Sequence, residues 1–144
     1  MKKRTTMAFY VEALLLVLAL LAVVLILTQC FAAAERTREN ARQLTEAVHL
    51  VRNAAEAAAG ADSPETLARL LADDAGNATD SGLQISYNES MEPDPAGAMS
   101  LQISWDKRPE PGGGLVTYTI WVTTRENEEL YRLETAVYLG REKP

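Results

Sequence analysis

The stretch Ala13–Leu27 reads ALLLVLALLAVVLIL, 15 residues without a polar side chain, inside an almost wholly apolar segment from Met7 to Ala34. At about 1.5 Å of rise per residue, a helix of that length crosses the hydrocarbon of a bilayer with room for tilt. Within hydrocarbon a backbone must satisfy its own hydrogen bonds, and a helix uninterrupted by Gly or Pro does so. The segment therefore predicts a transmembrane helix over 8–34 and divides the chain. A basic leader occupies 1–7, a helix continuing the span 35–60, and an extracytoplasmic domain of a short helix and antiparallel sheet 61–144.

Charge supplies an orientation. Lys2, Lys3 and Arg4 precede the span, whereas signs alternate after it at Glu35, Arg36, Arg38, Glu39 and Arg42. The positive-inside bias predicts a cytoplasmic N-terminus and an extracytoplasmic C-terminal domain in the cell membrane, with membrane lipid as the first partner. The formal net charge is −6, but residues 35–144 alone hold 11 Lys and Arg against 19 Asp and Glu, a balance of −8. Such a surface repels phosphate backbones, so no nucleic-acid partner is expected. Cys30 is the one cysteine, which rules out a disulfide within the chain and leaves a small core to packing alone.

The same segment admits other fates. Ala32-Ala33-Ala34 supplies a small-residue site at which a secretory signal would be cut, releasing a secreted protein that begins near Glu35. A lipoprotein signal would use Cys30, with bulky Gln29 where a small residue is expected. A retained anchor explains better why helix-forming sequence continues past Ala34 without Gly or Pro until Gly60.

Glu12 is the one charged residue between Met7 and Ala34. A carboxylate that close to hydrocarbon is costly and marks either an interfacial position or a partner. Its surroundings, Phe9-Tyr10-Val11-Glu12-Ala13-Leu14-Leu15-Leu16, resemble the start of type IV pilins and of the pseudopilins of type II secretion and competence systems. In that family a short basic leader is removed before an aromatic-rich apolar helix whose fifth mature residue is glutamate. The resemblance implies that Glu12 meets the free amino terminus of a neighbouring pilin-like subunit, with Phe9 beside it in the assembly segment. It also implies cleavage between Met7 and Ala8, which makes Glu12 fifth and places Met7 where the family has glycine; a cut before Phe9 makes Glu12 fourth.

Downstream, Ala41, Leu44, Val48, Val51, Ala55 and Ala58 recur at spacings of three and four, which predicts an amphipathic helix ending near Gly60. Ser63 and Pro64 suit the cap and first position of a second helix, with Leu67, Leu70 and Leu71 as its buried face and an end near Asp74. After the turn-rich stretch 76–82 the period changes to two. Strands are predicted around 83–87, 101–105, 116–122 and 131–139, joined by short Pro- and Gly-containing connections. LQISY at 83–87 and LQISW at 101–105 read as two strands of like composition rather than a repeat. The expected fold is α+β and pilin-like, with a transmembrane helix continuing into a long amphipathic helix packed on a meander of about four strands.

No residue pattern points to catalysis. Triple glycine at 112–114 lacks the Lys-Ser or Lys-Thr of a phosphate loop and reads as a hairpin. His49 stands alone, without the cysteines or second histidine of a zinc site or the partners of a catalytic triad. The acidic stretch 89–94, with Asp106 and Glu110, lacks the spacing of a calcium loop. Trp121, on the opposite strand face from Tyr118 and Ile120, is expected to pack on Tyr138. These readings predict no enzyme, no cofactor, no metal and no small-molecule substrate. The chain is expected to be a pilin-like or pseudopilin-like subunit of a type IV pilus, type II secretion or competence assembly, or else an unrelated membrane-anchored or secreted extracytoplasmic binding domain.

Overall fold

The structure is a computed structural model that describes residues 2–72 and 76–140, with side chains from residue 6 onward. Two compact units divide the chain, residues 1–41 and residues 42–144. One helix, α1 (Lys2–Gly60), supplies residues to both. The second unit adds α2 (Pro64–Ala72) and five strands, β1 (Gly76–Thr79), β2 (Gly82–Tyr87), β3 (Met99–Glu110), β4 (Gly113–Thr124) and β5 (Glu129–Gly140).

In the first unit the large apolar side chains are all exposed. Every large hydrophobic residue from Met7 to Phe31 is at least 50% exposed. Thr28 Oγ1 donates to the Val24 carbonyl at 2.9 Å, so this hydroxyl is satisfied within the helix. Among the described residues this is the one helix long and apolar enough to cross a membrane.

The second unit is a meander. Its strands lie in the order β1-β2-β3-β4-β5, every neighbouring pair antiparallel. Alternation places Leu101, Ile103, Trp105, Val116, Tyr118, Ile120 and Val122 on one face, where they form a single core with Ala47, Leu50, Val51, Ala54, Ala58, Ala61 and Leu67. Small residues dominate the α1 side of that core and large ones the sheet side. The sheet's long side chains reach across to these small residues and fill the space between the layers.

The architecture is α+β with a long N-terminal apolar helix and an antiparallel sheet, and it differs in detail from the expected one. Five strands form, not four: β1 arises within the stretch expected to be turn. Four residues with one apolar side chain carry no alternation signal, and β1 exists because β2 offers it an edge, with Gly76 opposite Ile85 and Thr79 opposite Gly82. On α1 the buried stripe is Ala47, Leu50, Val51, Ala54 and Ala58, with buried Ala61 just past its end, whereas Leu44 is 45% exposed and Ala41 is exposed. Periodicity alone admits both stripes, which share Val51 and Ala58; contact with the sheet selects between them. In α2, Leu67 is fully buried but Leu70 is 62% exposed, because a single nine-residue helix turns only a narrow face to the sheet. The end near Asp74 lies outside the described residues.

The resembling words LQISY and LQISW are cross-strand partners. Leu83 faces Ile103, Gln84 faces Gln102 and Ile85 faces Leu101. Partners share a sheet face, so similar burial selects similar residues. The hairpin at 110–113 turns on Pro111-Gly112, with Gly112 at φ +95°. Proline followed by a positive-φ glycine fits a type II turn. Gly113 and Gly114 are not loop but the first residues of β4, opposite Gly140 and Leu139.

Candidate assembly surface

In the first unit, Glu12 is exposed on α1. Helical spacing puts Ala8 and Phe9 one turn before it and Leu15 and Leu16 one turn after it, on the same side. The Phe9 and Tyr10 rings meet edge to face, with centroids 6.2 Å apart and planes at 69°. The Glu12 carboxylate forms no hydrogen bond or ion pair with the described residues. A carboxylate set among exposed apolar side chains can accept hydrogen bonds from a cation or amine brought by another molecule, and burial beside that group would strengthen the pairing. Met7, Ala8, Cys30 and Ala34 are all exposed and all within α1, so each candidate processing position lies on helical backbone.

In the second unit the open sheet face is polar. Gln84 Nε2 donates to Ser100 Oγ at 3.0 Å, and Gln102 Nε2 to Thr123 Oγ1 at 3.3 Å. Trp121 stands on this face, and the Arg132 guanidinium lies 5.1 Å from the centre of its ring. Glu129 holds that guanidinium through both carboxylate oxygens, the shortest contact being 2.6 Å. The pairing holds the Glu129 carboxyl below its usual range and raises the Arg132 guanidinium further. Trp121 is thus covered by Arg132 and not by Tyr138, which lies opposite Leu115, six residues further along β5 or roughly 20 Å. Tyr138 instead leans over the hairpin turn, where its hydroxyl donates weakly to the Pro111 carbonyl at 3.4 Å.

The remaining sequence candidates are dispersed. His49 is exposed on α1. In the acidic loop Asn88 Oδ1 accepts from the amides of Ser90 and Glu92, Asp94 Oδ1 accepts from the Ala96 amide, and Asp106 pairs with Arg108 at 3.3 Å. The Asn88 and Asp94 contacts shape turns locally, whereas Asp106 and Arg108 are neighbours on strand β3. Among the described residues no three His, Cys, Asp or Glu side chains are placed to hold a metal ion.

Two features had little sequence signal. An apolar groove of about 350 Å³ runs between α1 and the edge strand β5, lined by Val48, Ala55, Ala59, Tyr131 and Leu133, with Arg52 and Glu56 on its rim. Near α2, Glu65 takes Lys107 Nζ at 2.5 Å, and this bond, with its own backbone amide and Ser63, keeps its carboxyl below the usual range. Solvent screens so exposed a pair, which contributes little to stability. The periodic stripe of α1 pointed to half of the groove. The pairing of α2 with β3 depends on tertiary proximity over 42 residues.

No family model, curated protein or solved structure matches this chain.

Proposed function

We propose that this protein is a non-enzymatic, single-pass membrane protein that serves as a pilin-like or pseudopilin-like subunit of a type IV pilus, type II secretion or competence assembly. The observation that carries the reading is Glu12, an exposed carboxylate on an otherwise uncharged apolar helix segment. A span needs no carboxylate to insert, so the residue is explained by a partner that it meets in the membrane. An α1 that ends against an antiparallel meander supports the same reading. The basic residues 2–4 favour a cytoplasmic N-terminus and an extracytoplasmic second unit.

Replacement is the test. Glu12→Gln and Glu12→Ala leave the protein in the membrane fraction but abolish its incorporation into the assembly. Normal incorporation of both variants overturns the proposal. Intact mass and N-terminal sequencing of the mature protein decide the processing: a start at Ala8 or Phe9 supports a pilin-type cut, Glu35 means secretion, a lipidated Cys30 means a lipoprotein, and Met1 means an uncut anchor.

A second reading, an unrelated anchored or secreted binding domain, draws on the compactness of residues 42–144 and their own core. On that reading Glu12 is replaceable and a released domain retains full activity.

A further inference from the structure

We draw no further inference here: the strongest candidate, the apolar groove of about 350 Å³ between α1 (Val48, Ala55, Ala59) and the edge strand β5 (Tyr131, Leu133), is an unpartnered face, and nothing in the structure shows what covers it.

Discussion

Tyr118 is fully buried, yet its hydroxyl is the one buried side-chain polar atom without a hydrogen-bond partner among the described residues. Burial, and secondarily the charge of Glu65, raises its ionisation above the ordinary value near 10. Burial raises Tyr87 in the same direction. The unfolded chain therefore releases these protons first as pH climbs. Stability from this source is fully present below about pH 10 and falls as pH rises through the folded-state values. Tyr118→Phe removes an unsatisfied buried group and should raise stability by about 1 kcal/mol at pH 8. It should also flatten the loss above pH 10. Urea midpoints of the full chain in detergent, read by Trp105 and Trp121 fluorescence, check both effects. At Gly97 the constraint is space: a Cβ there would run into the backbone carbonyl of Tyr87. Gly97→Ala must displace the loop that follows β2 and should lower the same midpoint.

Among the elements, α2 provides a controlled comparison. Its Leu67 is sealed in the core while Leu70, less than one turn away, faces solvent. Leu67→Ala should cost about 3 kcal/mol, the usual range for an emptied leucine site, and Leu70→Ala less than about 0.5 kcal/mol. Equal effects would mean that α2 packs with a different face. The start of α2 is held by Ser63 Oγ, which accepts from the Thr66 amide at 3.1 Å. Ser63→Ala should cost about 1 kcal/mol, measured by the same denaturation. The local half of this arrangement was legible, because Ser63-Pro64 is a start signal that needs only neighbouring residues. Which leucine turns inward was not, since it depends on where α2 meets β1 and β2.

At the scale of the molecule, the two units treat their apolar surface in opposite ways. Residues 1–41 expose their apolar surface, and residues 42–144 enclose theirs. Cleavage of the detergent-solubilised chain near residue 41 should therefore release a fragment that keeps its cooperative melting transition, followed by the two tryptophans it contains. Loss of that transition on cleavage would show that the sheet unit depends on the preceding helix segment for its fold.

The local order of this chain was set by sequence alone. An apolar run without Gly or Pro specifies a helix, alternation specifies the central segments of β2 to β5, and the glycine-rich stretch after Pro111 marks a hairpin, since each depends on neighbours within a few residues. Glu12 and its apolar surroundings were equally visible, because a lone charge in such a run needs no fold to be conspicuous. Tertiary structure decided what depends on distant partners. It selected which of two overlapping stripes on α1 is buried, added β1 to an edge that β2 provides, and fixed the register that sets Arg132, not Tyr138, over Trp121. Along β4 and β5 that register carries a shift at Val122/Thr123, beyond which Thr123 faces Glu129. Alternation gives the face of each residue but not its neighbour across the sheet; the pairing of whole strands sets that.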